Sequence, residues 1–332
     1  MAAHTPLSQP PRSLRTQALL GLLLANLFWG LSFPLIKALV ALHDRLLPAS
    51  GTWFVTSMVL APRFVLATAF LVAWQLLRGG GLRCTRGEVF QGVVIGLFAS
   101  GGMIFQSDGL QFTAASTSAF LTQFYAILIP LYLAAKTRRN PGGRVWISVI
   151  LVMVGVAILG NFDGRELRLG RGEWETLLGS LFFMGQILWL EKKEFAANRP
   201  EKISLVMFAT GAVVLLAMLG KTTPDAASVG VLLRSFPWLV STLVLTVVCT
   251  LAPYLLMNIW QPKIGAIEAG LIYCVEPIFG SIMALFLPAY FSVWLAIVYA
   301  NERATWTLLL GGGLITAANL LIQLRPPEKS SA

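Results

Sequence analysis

The stretch Ala18–Ile36, ALLGLLLANLFWGLSFPLI, carries no charged residue. Wound as a helix at ~1.5 Å per residue, it reaches across the ~30 Å hydrocarbon core of a bilayer. It is too long for the apolar core of a secretory leader and runs into further apolar sequence, so it is expected to remain as a helix. Nine similar blocks follow: Trp53–Leu77, Phe90–Gln106, Ala114–Ala135, Val145–Gly160, Trp174–Leu190, Ile203–Gly220, Phe236–Trp260, Gly265–Leu287 and Ala304–Leu324. The fold class this implies is an all-α polytopic membrane protein with ten transmembrane helices.

Composition points the same way. Of 332 residues, 56% are hydrophobic and 12% charged, where a soluble domain carries roughly 25% charged. A soluble enzyme, a disulfide scaffold and a disordered chain are excluded. Cys84, Cys249 and Cys274 have neither paired nor metal-ligand spacing. His4 and His43 lie outside the apolar blocks, which removes an intramembrane histidine–metal site. No metal, cofactor or nucleic acid is expected. The net charge of +10 is read as topology information, because Lys and Arg collect in cytoplasmic loops.

With the N-terminus inside, sixteen Lys and Arg fall in inside segments and seven in outside ones, Lys37 and Arg63 lying in or at the edge of spans. Both termini are therefore expected to be cytoplasmic, in the plasma (inner) membrane. The polar stretch Asn161–Glu173 separates five spans from five. The expected organisation is an N-terminal segment 1–17, a first five-helix repeat 18–160, a linker 161–173, a second five-helix repeat 174–324 and a tail 325–332. An odd number of spans per half makes the second half enter from the opposite side, so related halves form inverted repeats, a frequent basis for alternating access. Ala115–Phe124 (ASTSAFLTQF) aligns loosely with Ala266–Val275 (AIEAGLIYCV) at an offset of 151, which sets Tyr125 opposite Glu276.

Four segments carry a resemblance: LFWGLSFPLIKAL (Leu27–Leu39), APRFVLA (Ala61–Ala67), VEPIFGSIMALFL (Val275–Leu287) and NERATWTLLLGGGLITAANLL (Asn301–Leu321). In order and spacing the chain resembles the drug/metabolite transporter superfamily, EamA-type, over roughly residues 18–324. The resemblance implies export of a metabolite, amino acid or drug-like compound. An extra stretch, Pro288–Ala300, brings Tyr290, Phe291, Trp294 and Tyr299 and is expected to be an interfacial element.

Few polar residues fall inside the spans. Glu276, followed by Pro277, stands near the middle of the ninth. A carboxylate there can bind and release a proton at a helix interruption of the kind that marks transporter sites. Its alternative role is a structural ion pair with Arg63. Arg63 itself either lines a cavity or locks the bundle. Asn26, Trp29 and Phe33 share a face of the first span, with Ser32 beside them. Thr122, Gln123 and Tyr125 of the fourth span are candidates of the same kind, and Tyr273 of the ninth is counted with them. Glu268 is expected in a wetted vestibule, Lys37 at a helix end with its ammonium reaching for the interface, and Asp108 at a helix end in water. Gly311–Gly313 reads as close helix packing. The substrate and proton pathway is thus expected at Glu276, Arg63, Asn26, Trp29, Gln123, Tyr125 and Tyr273, with the lipid bilayer, a small-molecule substrate and a coupling proton as partners. A non-enzymatic transporter is expected. Its rival is an intramembrane lipid-handling protein, a flippase or an enzyme acting on a lipid or isoprenoid phosphate.

The charge bias generates a test. Single cysteines replacing Arg139 and Lys193 are expected to resist an impermeant external thiol reagent, and one replacing Arg168 to react. External labelling of Arg139→Cys would overturn the orientation.

Overall fold

The structure, a computed structural model, describes residues 12–79, 81–138, 140, 142–159, 169–264, 269 and 272–323. Glu268 and most of the linker lie outside the described residues. Among those described, the regular structure is entirely helical. Helix α1 spans Arg12–Leu46, α2 Thr52–Leu77 and α3 Arg86–Gly109. Two short helices follow, α4 Ala115–Thr122 and α5 Tyr125–Thr137, then α6 Gly143–Leu159, α7 Arg171–Leu190 and α8 Pro200–Thr222. A surface helix α9, Ala226–Leu233, precedes α10 Phe236–Thr246, which runs through a π-helical turn, Val247–Leu251, into α11 Ala252–Trp260. The last two are α12 Glu276–Leu295 and α13 Trp306–Gln323.

Helices thus stand at the position of every expected span. Length and composition qualify seven as membrane-crossing among the described residues: Ser13–Leu46, Thr52–Leu77, Arg86–Gly109, Ala115–Thr137, Pro200–Thr222, Phe236–Lys263 and Glu276–Leu295. Two apolar helices, Gly143–Leu159 and Trp306–Leu321, are shorter. Helix α7 carries Arg171, Glu173 and Glu175 in its first turns.

Two expectations about helix ends are corrected. The first helix continues to Leu46, so Lys37 sits within it and does not snorkel from its end; its ammonium donates to the carbonyl of Thr113. The ninth block continues to Leu295, so Pro288 lies inside α12 and the first part of Pro288–Ala300 extends that helix. Proline cannot donate to the carbonyl four residues back. Here the Ala284 carbonyl accepts from the Glu302 N–H instead, at 3.0 Å. Phe291 and Tyr299 pack onto the core while Tyr290 is exposed.

The fourth and ninth blocks are broken helices. The first breaks at Gln123–Phe124, between α4 and α5; the second at Cys274–Val275, between a helical Ile272–Tyr273 and α12. Several of their backbone bonds match at the offset of 151. Phe124 N–H donates to Leu121 and Val275 N–H to Ile272, both at 3.1 Å. Leu128 donates to Phe124 and Phe279 to Val275, both at 3.2 Å. Pro277 therefore opens a helix, where a missing N–H is harmless, and does not interrupt one in its body.

Packing pairs α3 with α7 and α8, α2 with α8 and α10, α1 with α11 and α12, α4 with α7, and α6 with α13. The α6–α13 contact depends on glycine. A Cβ on Gly155 would stand 2.8 Å from the Gly311 carbonyl oxygen, and one on Gly311 the same distance from that of Gly155. Gly312 lies under the Phe120 ring, whereas Gly313 faces open space. Gly155→Leu or Gly311→Leu is expected to lower stability by about 1–3 kcal/mol through overpacking, with Gly313→Leu near wild type. Thermal unfolding of the detergent-solubilised protein reads the difference, and equal melting temperatures for all three variants would refute the contact.

Candidate functional site

A cavity lies among α1, α3, α7, α11 and the two helix breaks, with about 540 Å³ of space when the part open to solvent is included. Trp29 and Ser32 face it from α1, Met103 and Gln106 from α3, and Phe183, Gln186 and Ile187 from α7. Cys249 of the π turn and Tyr254 and Met257 of α11 form another wall. Thr122 and Tyr125 flank the first break, and Tyr273 and Glu276 the second. The Trp29 ring stands edge-on to Tyr254, centroids 5.6 Å apart, and to Tyr273 at 6.0 Å.

Glu276 is the first residue of α12, buried to 7% exposure. Its Oε2 accepts a hydrogen bond of 3.1 Å from the Gln123 side-chain amide. Gln123 occupies the break of the first half, so the two breaks meet through their side chains. At a helix N-terminus the unsatisfied N–H groups favour a carboxylate. Gln106 donates to the Thr122 hydroxyl at 2.8 Å, fixing α3 to the first break.

Of the residues singled out from sequence, Trp29, Ser32, Thr122, Tyr125, Tyr273 and Glu276 face the cavity, and Gln123 supports Glu276 from behind. Asn26 does not line it: its amide donates to the Leu22 carbonyl of its own helix at 2.6 Å. Arg63 also stands off the wall, fully buried. Its Nε and one terminal nitrogen donate to the Thr250 hydroxyl at 3.0 and 2.7 Å. That hydroxyl donates in turn to the Leu245 carbonyl five residues back, within the π turn. Among the described residues no carboxylate lies within ion-pair distance of Arg63, so the Glu276–Arg63 pair is not formed. Glu276 instead settles on an amide, and Arg63 on a hydroxyl. Sequence reading missed Gln106, Gln186, Tyr254 and the Met103–Met257 pair. A polar residue at the end of an apolar block, as at Gln106, or one turn before it, as at Gln186, was the available signal.

Polar networks close both ends of the bundle. At the linker end Asp108 is fully buried, not a helix end in water. It accepts from Thr56 at 2.8 Å and Gln111 at 3.1 Å and pairs with Arg171. Arg171 also pairs with Glu175 at 2.7 Å and covers the Phe112 ring at 4.4 Å. Glu302 caps the N-terminus of α4 through the N–H of Ala115, at 2.7 Å, and the Ser116 hydroxyl. At the opposite end Arg199 grips Glu88 through two bonds, 2.7 and 3.0 Å. There Gln261 donates to Glu191 at 2.9 Å and accepts from the Tyr273 hydroxyl at 2.8 Å, linking the cavity to that surface. Burial raises the Glu191 carboxyl above its ordinary range, and the Gln261 hydrogen bond opposes that shift.

Comparison with known proteins adds the following. The EamA-like transporter family matches residues 16–161. An uncharacterized transporter of Archaeoglobus fulgidus is 29% identical over 189 residues, 55% of this chain and 52% of that protein. The chain therefore spans about half the length of the curated relative it matches. A solved crystal structure, 17% identical, superposes with a TM-score of 0.55 and covers 90% of this chain and 96% of that one, so the fold is shared along nearly the whole length. Residues 16–161 are thus similar to the EamA-like transporter family, in keeping with the resemblance to the drug/metabolite transporter superfamily read from the sequence. The chain is an integral, multi-pass membrane protein.

The Arg63–Thr250 contact generates a test. Thr250→Val leaves a buried guanidinium without an acceptor, a loss of about 1–3 kcal/mol, whereas Thr250→Ser keeps the hydroxyl. A lower melting temperature in detergent is expected for the valine variant alone; a valine variant as stable as wild type would show that Arg63 does not rely on this bond.

Proposed function

We propose, from a first half similar to the EamA-like transporter family and a cavity walled by both halves, that the chain is a non-enzymatic transporter of a small organic solute working by alternating access. The observation that carries the reading is the Gln123–Glu276 contact, which joins two matching helix breaks at the cavity wall. Broken helices around a central site are a recurrent transporter feature. In this reading ten spans form two inverted five-helix repeats. Exchanging each span for its counterpart five places on converts the α3–α7 contact into α1–α11, α1–α12 into α4–α7, and α3–α8 into α2–α10, all of which are present. The two end networks serve as alternate closures. Export through the inner membrane, with both termini cytoplasmic, follows the family resemblance and the charge bias.

Glu276 is the group proposed to take and release a proton as the cavity changes sides. The rival reading, handling of a lipid or isoprenoid phosphate, needs cations at the cavity wall. The described lining holds one carboxylate and no Lys, Arg or His.

Because Glu276 and Arg63 are not paired, Glu276→Gln orphans no buried cation, and the new amide still fits beside Gln123. The variant is expected to fold with normal yield from detergent, yet to lose transport in proteoliposomes loaded with a panel of soluble solutes. Any residual activity should lack the wild-type pH dependence. Full transport with an unaltered pH profile would remove Glu276 from the mechanism.

A further inference from the structure

We infer that the cavity selects monovalent organic cations, an ammonium head against Glu276 with an apolar body behind it. The inference rests on the transporter reading and names the substrate class of the same site. The wall carries a single charged side chain. Gln123 occupies one of its carboxylate oxygens, and the other has no hydrogen-bond partner among the described residues. A buried carboxylate on the cavity wall, with no cation in ion-pair distance among the described residues, is complemented by a cationic ligand.

The surroundings fit that ligand. Trp29, Tyr254 and Tyr273 meet edge to face around one side of the cavity. Aromatic side chains gathered this way present ring faces and hydroxyls to a cation, and the attraction grows when water is excluded. Met103 and Met257 add polarisable, conformationally adaptable thioethers, which accept apolar bodies of varied shape. An anion or a zwitterion finds no equivalent. Arg63 is the nearby cation among the described residues, and it is withheld behind the wall, bound to Thr250 on the π turn. A substrate carboxylate would face Glu276 without a counter-charge.

Three phenyl compounds of similar size separate the classes: benzyltrimethylammonium, zwitterionic phenylalanine and anionic phenylacetate. Calorimetric titration of the purified full chain in a neutral maltoside detergent is expected to show saturable binding of benzyltrimethylammonium alone. Trp29→Leu should weaken it by about tenfold or more, while Trp29→Phe, which keeps a ring face, should retain most of the affinity. Glu276→Gln should abolish it. Protection of the wild type from thermal unfolding by benzyltrimethylammonium, and not by phenylacetate, reads the same preference without a variant. Equal binding of phenylalanine or phenylacetate, or an undiminished affinity in Glu276→Gln, would overturn the inference. Proteoliposomes holding the same compounds separate it from the transporter reading. Movement of phenylalanine or phenylacetate but not the cation would refute the cation selectivity and leave the transporter standing. Binding of the cation with no movement of any of the three would uphold the selectivity and count against transport.

Discussion

The hydrogen bond from Gln123 to Glu276 is the contact on which the rest of the arrangement turns. A carboxylate removed from water is tolerated where donors surround it. Here one donor comes from the opposite half of the chain, and the Glu276 helix begins at the carboxylate itself. Both helices break at this contact. The break also turns Tyr125 and Tyr273 toward the same space. Cavity, carboxylate and aromatic wall are thus consequences of two paired interruptions.

Charges are distributed unevenly around this centre. Arginine–carboxylate pairs lie at the ends, at Asp108–Arg171 and Glu88–Arg199, where each arginine remains partly exposed. Ion pairs that water reaches are weak and readily exchanged. The buried Arg63 has no such freedom. It holds the π turn through Thr250, and the π turn carries Cys249 and leads to Tyr254 on the cavity wall. π-helical turns are frequent at functional sites, and here a fully desolvated guanidinium fixes one in place.

Much of the fold was legible because a bilayer demands long apolar runs, and α1, α2 and α8 satisfy that demand directly. The offset of 151 set the two break regions opposite each other, but the sequence reading placed an interruption at Pro277 alone and none in the fourth block. Less could be read where partners come from distant segments. Asp108 looks like a helix end in the sequence, and its burial depends on Arg171, 63 residues on. Lys37 looks like a terminus because a charge follows an apolar run, but the Thr113 carbonyl reaches it. The Glu276–Arg63 pairing was inferred from shared depth. Depth along a helix says nothing of azimuth, and Arg63 faces α10 and its π turn while Glu276 faces α4.

Azimuth also explains which polar residues reach the cavity. Asn26 and Trp29 share a helical face in sequence, yet the asparagine amide folds back onto the Leu22 carbonyl while the indole extends into the open space. A short amide near its own backbone finds an acceptor within one turn, as Asn and Ser side chains readily do. A long aromatic side chain has no such local alternative and fills whatever volume lies beyond the backbone. In a wall built from small, self-satisfied polar groups and large rings, the rings set the chemistry presented to a ligand. A single carboxylate placed among them then decides the sign of the charge that can enter.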